Sequence, residues 1–157
     1  MTSLPTVQRL PTLLPKAIAW AEGESEQVLK HGQALVQRDI QLAVRAGVAH
    51  PERVRIAVVP QMPWPGDEEL RAAGEETGLF SPTIIGLTMG HGILLIEGRF
   101  NRRMIAHELR HVHQYEAAGS IANFLPLYLL EVATHTYGNA PFEIDARNHE
   151  YLADETA

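Results

Sequence analysis

Two histidines and a glutamate stand close together in residues 107–111, whose sequence is HELRH. In an α-helix each residue advances about 100°, so His107 and His111 lie roughly 40° apart and one turn along the axis, where both imidazoles can bind one cation. Glu108 lies about 100° from His107, where it can take a proton from a water bound to that cation. The spacing therefore predicts a catalytic zinc site with Glu108 as the general base.

A catalytic zinc ion usually takes three protein ligands. The chain contains no cysteine, so the third ligand must be histidine, aspartate or glutamate. Glu143 follows Pro141, which suits the first position of a helix, and would stand in a rigid first turn. Glu131 belongs to a predicted helix over residues 121 to 137 that would return antiparallel to the first. The other interpretations are a carboxylate at a helix N-terminus for Glu143 and a polar stripe with His135 for Glu131.

The elements around this motif can be predicted from their caps and apolar spacing. Asn101 is a plausible N-cap and Gly119 a plausible end, which gives a helix of about 17 residues. Ile105, Leu109 and Val112 repeat at helical spacing on the side away from the two histidines. One face of this helix should therefore pack while the other holds the metal.

Upstream, the pattern predicts helices and then strands. Apolar positions between residues 16 and 46 indicate one long helix or two, with Gly23 and Gly32 as possible breaks. Gly90-His91-Gly92 indicates a hairpin between two strands. We expect an α+β, zincin-like fold in which a small antiparallel sheet packs against the HExxH helix and further helices. The predicted strands are 54–59, 83–89 and 93–97.

Length and composition favour one domain. With 157 residues and 45% hydrophobic content, we expect a single domain over residues 1–157. Its order of strand, short loop and HExxH helix resembles that of zincin metallopeptidases, which implies a zincin-like metallopeptidase domain. Its parts are an N-terminal helical region (1–50), a sheet region (51–100) and metal-binding helices (101–157). A net charge of -6 argues against a nucleic-acid partner. No segment resembles a signal peptide or a membrane span, so we expect a cytoplasmic protein without a membrane partner.

The run HELRHVHQY, an apolar stretch and then YGNAPFEIDAR resemble a group of bacterial HExxH proteins of minimal gluzincin type. The resemblance extends upstream through GVAHPERVRIAVV and GLTMGHGILLIEG, and covers about residues 47 to 150. It implies that His107 and His111 bind zinc, that Glu108 is the base and that Glu143 is the third ligand, from an Asn-Pro-x-Glu-like segment. This chain departs from that segment by one extra residue, Ala140, between Asn139 and Pro141.

The expected function is a zinc-dependent hydrolase, a metallopeptidase acting on a peptide or protein substrate. Zinc would lower the pKa of its bound water, and Glu108 would take the proton. Tyr115, Tyr137 and His135 are the nearest groups suited to stabilising an oxyanion. Gln114 could hydrogen-bond one of the side chains that bind the metal.

Two other functions stay open at this stage. One is a regulatory or partner-docking domain that binds zinc without hydrolysis. The other is an α+β interaction domain in which the HELRH sequence is coincidental.

Overall fold

The protein is described by a computed structural model over residues 5 to 155. Within that range, six α-helices and one four-stranded sheet establish the α+β class. In chain order the elements are α1 (Thr6–His31), β1 (Gln33–Ala34), α2 (Gln37–Arg45), β2 (Arg55–Val59), α3 (Glu68–Thr77), β3 (Gly86–Met89), β4 (Gly92–Ile96), α4 (Arg102–Ala118), α5 (Ile121–His135) and α6 (Pro141–Arg147). Short 3₁₀ turns occupy Pro51–Arg53, Tyr137–Asn139 and Glu150–Asp154.

The sheet is mixed, so the expectation of an antiparallel sheet is wrong. Its strand order is β1-β2-β4-β3, with β2 and β4 parallel and the other two pairs antiparallel. The cause is the connection after β2, which passes through α3 to the edge strand β3. Parallel neighbours need such a crossover. The β3 to β4 hairpin then returns the chain beside β2, and its turn lies at Gly90-His91, as the glycines predict.

Strand β4 is the centre of the fold, because all five of its residues are buried. Successive side chains of a strand point to opposite faces. Leu94 and Ile96 join a core with residues of α1, α3 and α5. Ile93 and Leu95 join a second core with residues of α2 and α4. Helices therefore cover both faces of the sheet.

The N-terminal helical region consists of two helices. Helix α1 begins at Thr6, ten residues before the predicted start, and ends at His31. Helix α2 follows after the short strand β1. The sequence left one or two helices open, and the division falls at Gly32, one of the two glycines expected to break the run.

The HExxH helix has the predicted bounds. Asn101 accepts a hydrogen bond from the backbone N–H of Met104 at 3.0 Å, and the 17-residue helix α4 ends at Gly119. Leu109 and Val112 are fully buried on its packed face, as expected. Ser120 then caps α5 by accepting from Asn123 N–H at 3.0 Å, and α5 ends two residues before the predicted end.

No single helix among residues 5–155 is long and apolar enough to cross a membrane. Helices α4 and α5 meet the length and composition requirement only as a pair, and they are bent by 118° relative to each other.

Candidate metal centre

Three buried side chains converge on one point between α4 and α6. The carboxylate of Glu143 lies 3.0 Å from His107 Nε2 through Oε1 and 2.9 Å from His111 Nε2 through Oε2. One ligand atom from each residue lies within 4.8 Å of the other two. Within the described part of the chain, this is the group of histidines and carboxylates that could hold a metal ion.

The donor set and its spacing fit zinc. Two imidazoles and one carboxylate are a common ligand set for catalytic zinc, with bonds of about 2.0–2.2 Å. A tetrahedral ion with such bonds holds its ligand atoms about 3.3–3.6 Å apart. The observed separations of 2.9 and 3.0 Å are a few tenths of an ångström shorter. A small outward shift of the Glu143 carboxylate would therefore make room for the ion.

Glu131, the alternative third ligand, lies outside this group and has a different partner. Its Oε1 accepts a hydrogen bond from the backbone N–H of Phe142 at 2.8 Å. Helix α6 has Ala140 at its N-cap position, with no side-chain cap of its own. Glu131 thus supplies from α5 the acceptor that the first turn of α6 lacks. It positions the helix that carries Glu143.

A second carboxylate fixes the ring of His107. Nδ1 of His107 lies 2.9 Å from Oε2 of Glu150, which stands in the 3₁₀ turn Glu150–Asp154. An ionised carboxylate only accepts hydrogen bonds, so Nδ1–H donates and Nε2 faces Glu143. Carboxylates in this position orient zinc-bound histidines. Sequence reasoning missed Glu150, although its place seven residues after Glu143 corresponds to about two helical turns.

Gln114 performs the corresponding role for His111. His111 Nδ1 lies 2.7 Å from Gln114 Oε1. The Gln114 amide nitrogen donates to Phe142 O at 3.1 Å and to Asp145 Oδ2 at 2.9 Å. Asp145 also accepts from Arg110 Nε at 2.7 Å. The sequence indicated Gln114 as a hydrogen-bonding partner, and these contacts join α4 to α6.

Glu108 is buried beside the three converging side chains, with 2% of its surface exposed. Its Oε1 accepts a hydrogen bond from Thr88 Oγ1 at 2.8 Å, and its Oε2 lies 3.9 Å from His107 Nε2. Strand β3 passes directly over this carboxylate. A Cβ atom at Gly86 would lie 2.8 Å from Glu108 Oε2. Glycine at this position therefore keeps open the space beside the carboxylate.

The charges of these groups are strongly coupled. Burial alone would lower the pKa of His111, but the carboxylate of Glu143 outweighs burial and raises that pKa to about 9. Burial would raise the pKa of Glu143, but the His111 and His107 imidazoles hold it far below its usual range. Burial raises the pKa of Glu108 against the opposing effect of both imidazoles. Without a metal, His111 therefore carries a proton at neutral pH.

The hydroxyl group of Tyr128, which the sequence reasoning missed, contacts Glu143. Its O–H donates to Glu143 Oε2 at 2.7 Å, and burial raises its pKa well above the usual value. Tyr115 and Tyr137, which the sequence suggested for an oxyanion, both line the cavity that adjoins the site. His135 is exposed at the end of α5 and is not part of that lining.

Comparisons with protein-family models, with curated proteins and with solved structures found no match for this chain. The resemblance to minimal gluzincins therefore stays a prediction.

Proposed function

We propose that this chain is a zinc-dependent hydrolase with a zincin-like fold, a metallopeptidase that cleaves a peptide or amide bond. His107, His111 and Glu143 would hold the zinc ion, and Glu108 would act as the general base. One observation carries the proposal. A buried carboxylate with a raised pKa stands directly beside a His/His/Glu group, in a space that Gly86 leaves open.

When bound, zinc would supply a positive charge that polarises the scissile carbonyl and acidifies the attacking water. Glu108 Oε2 takes a proton from that water as the water oxygen bonds to the carbonyl carbon. Glu108 then gives the proton to the amide nitrogen as the C–N bond breaks. One water is consumed, and one carboxylic acid and one amine are formed.

The other polar side chains orient the groups that act. Thr88 donates to Glu108 Oε1 and so turns the other oxygen, Oε2, toward the imidazoles. Glu150 and Gln114 hold the outer ring nitrogens of the two histidines, which leaves both Nε2 atoms directed at the metal position. Such partners commonly raise metal affinity 10–100-fold. This degree of orientation supports a built metal centre over a coincidental HELRH sequence.

The test separates hydrolase from a zinc-binding docking domain. The chain is loaded with zinc, its metal content is measured, and cleavage of a quenched fluorescent peptide library is followed. We expect about one zinc per chain and a cleavage activity that Glu108→Gln lowers at least 100-fold while zinc stays bound. The exposed Glu97 offers the matched control, because Glu97→Gln makes the same chemical change away from the site.

Two results would contradict the proposal. A chain that binds no zinc has no such metal centre. A fully loaded chain whose cleavage activity is absent, or is the same in Glu108→Gln, favours the non-hydrolytic docking domain instead.

A further inference from the structure

A cavity of about 90 Å³ adjoins the candidate metal centre. Glu108, His111 and Glu143 are three of its lining residues. Other lining residues belong to α1, α3, β3 and α5. Of these four elements, only β3 and α5 also place a side chain beside the metal position. The cavity therefore connects the reactive groups with a part of the fold that the proposed chemistry does not use.

Most of this lining is apolar. Helix α1 supplies Leu10, Leu13 and Trp20, and helix α3 supplies Leu70 and Ala73. The lining within residues 5–155 contains no lysine or arginine, and its only carboxylates are the two beside the histidines. Apart from His111, a proposed metal ligand, the lining thus offers no basic side chain to pair with an anionic substrate group.

Three hydroxyl groups of the lining already have partners. Thr77 Oγ1 donates to Ala73 O at 2.9 Å within its own helix. The hydroxyls of Thr88 and Tyr128 donate to Glu108 and Glu143. A charged group that entered the apolar part would lose its hydration without gaining a hydrogen bond, which is strongly unfavourable. An uncharged apolar group would lose nothing of this kind and would gain from leaving water.

An aromatic wall gives the cavity a fixed shape. The Phe80 ring stacks on Trp64 at 4.5 Å between centroids and lies 6.4 Å from the Trp20 ring. The Phe80 ring also packs directly onto Gly74, where an added Cβ would lie 2.1 Å from it. An empty apolar cavity costs stability. Its position beside the metal ligands gives a functional reason for retaining it.

The volume sets the size of the occupant. An apolar cavity of about 150 Å³ holds one benzene molecule, so a cavity of about 90 Å³ takes a single side chain. The side chains of leucine and phenylalanine, with four and seven carbon atoms, match that size. A long acyl chain does not.

We propose that this cavity receives one bulky, uncharged apolar side chain of the substrate, of leucine or phenylalanine size, next to the bond that is cleaved. The proposal rests on the proposed hydrolase function for the position of that bond. The selection of an apolar side chain rests on the cavity alone.

The binding test uses small probes that need no turnover. The zinc-loaded chain is titrated with N-acetyl-phenylalanine amide, N-acetyl-leucine amide, N-acetyl-glycine amide and N-acetyl-aspartate amide, and the Trp20 indole N–H signal is followed by NMR. We expect the phenylalanine and leucine probes to bind at least tenfold more tightly than the other two. Contacts between probe protons and the Phe80 ring, measured as intermolecular NOEs, should locate them in the cavity of the unaltered chain.

A matched pair of variants on α5 tests the location. Ala133 is half-buried and lines the cavity, whereas Ala122 is exposed and does not. Ala133→Phe should weaken binding of the phenylalanine probe at least tenfold, and Ala122→Phe should leave it unchanged. If Ala133→Phe does not fold, the NOEs to Phe80 decide the location.

The outcomes distinguish this proposal from the hydrolase proposal. Equal binding of all four probes, or binding without contacts to Phe80, overturns the apolar subsite even if the chain cleaves peptides. Selective probe binding in a chain that cleaves no peptide supports the subsite and contradicts the hydrolase. A set of peptides that differ at one residue tests the two proposals together. Cleavage that is at least tenfold faster next to leucine or phenylalanine than next to glycine or aspartate supports both the apolar subsite and the hydrolase function.

Discussion

Gly86 controls the space around Glu108 more directly than any charged residue does. A methyl group added at Gly86 would lie 2.8 Å from Oε2 of Glu108. The Cδ and Cγ atoms of the same buried side chain would lie 3.0 Å from that methyl group, so the Glu108 side chain must shift. The effect of a methyl group should therefore fall on the position of the base, and so on the chemistry.

We expect Gly86→Ala to lower peptide cleavage by about 10- to 100-fold, because a displaced base loses much of its contribution to the rate. Zinc content should remain near one per chain, since Gly86 contacts none of the three proposed ligands. The measurements are kcat on a peptide substrate and metal analysis. Gly23→Ala is the matched control, because a Cβ at Gly23 has nothing within 4 Å. Equal effects of the two substitutions on kcat would contradict this role of Gly86.

The pKa of His111 predicts a pH dependence in the metal-free protein. Its folded-state pKa is about 9, above the usual value of 6.5, because Glu143 and the nearby Glu108 favour the charged ring over the effect of burial. A raised pKa stabilises the fold fully below about pH 6.5, and this contribution is lost as the pH rises toward 9. The melting temperature of the metal-free chain should therefore fall between pH 6.5 and 9.

Zinc should remove that fall, because the metal takes the place of the proton on Nε2 and binds more tightly as the pH rises. Thermal unfolding with and without zinc at several pH values measures the difference. His135→Gln, a change at an exposed histidine, should leave the metal-free pH profile as it was. A decline of the same size in the zinc-loaded chain would refute the interpretation.

The sequence could predict the residues that one helix brings together. His107, Glu108 and His111 share α4, so helical periodicity alone gives their arrangement. Glu143 was indicated by Pro141, which begins its helix. Glu150, Tyr128 and Thr88 come from other elements, and their contacts depend on how those elements pack. No local spacing in the sequence reports that packing.

At the scale of elements, α6 is the part of the site that depends most on its neighbours. It has seven residues, which is too few for a stable helix in isolation. Glu131 accepts from its first turn, and Arg110 and Gln114 on α4 bind its Asp145. These contacts place Glu143 opposite the two histidines.

The two glutamates should therefore respond differently to truncation. Glu143→Ala removes a proposed ligand and should weaken zinc binding by more than about 100-fold, beyond the roughly 10–100-fold effect of losing a hydrogen-bonding partner. Glu131→Ala should keep near-stoichiometric zinc at saturating metal and lower the melting temperature, because it leaves an N–H of α6 without its acceptor. Metal analysis and thermal unfolding test the pair. Loss of zinc only in Glu131→Ala would mean that the third ligand is misassigned.

The bounds of a helix with capping residues could be predicted well from the sequence. Asn101 and Gly119 bound α4 as expected, because side-chain capping and left-handed helix ends depend on neighbouring residues alone. The start of α1 was placed too late, since Pro11 and Pro15 argue against a helix that nevertheless contains both. Leu13 is buried in a core with α3 residues. Thr6 and Arg9 hydrogen-bond Glu76 of α3, so contacts with α3 stabilise this end of α1.

For the molecule as a whole, the sheet topology lay beyond the sequence patterns. The strands and the hairpin were indicated by alternation and glycines, but the parallel pairing of β2 with β4 is a long-range contact. The one sign of this pairing in the sequence is that β4 is apolar along its whole length. A strand that is covered on both faces is buried throughout and has this composition.

Removing zinc should loosen one end of the molecule and leave the other unchanged. After chelation we expect amide hydrogen exchange in residues 141–154 to become at least tenfold faster, because the proposed metal joins α6 to α4. Helix α1 and strand β4 contribute none of the proposed metal ligands, and their amides should exchange as before. Uniform acceleration across the chain would show that the metal stabilises the fold globally instead.

The order of these residues along the chain has a consequence for synthesis. The ribosome makes the HExxH helix before it reaches Glu143 and Glu150, which follow His111 by 32 and 39 residues. An emerging chain that holds only α4 presents two imidazoles and Glu108 without the third proposed ligand. Domains fold as units during synthesis, N-terminal parts first. Under the proposed function, a ribosome-bound chain stays unable to cleave its neighbours until the turns that carry Glu143 and Glu150 have folded against α4.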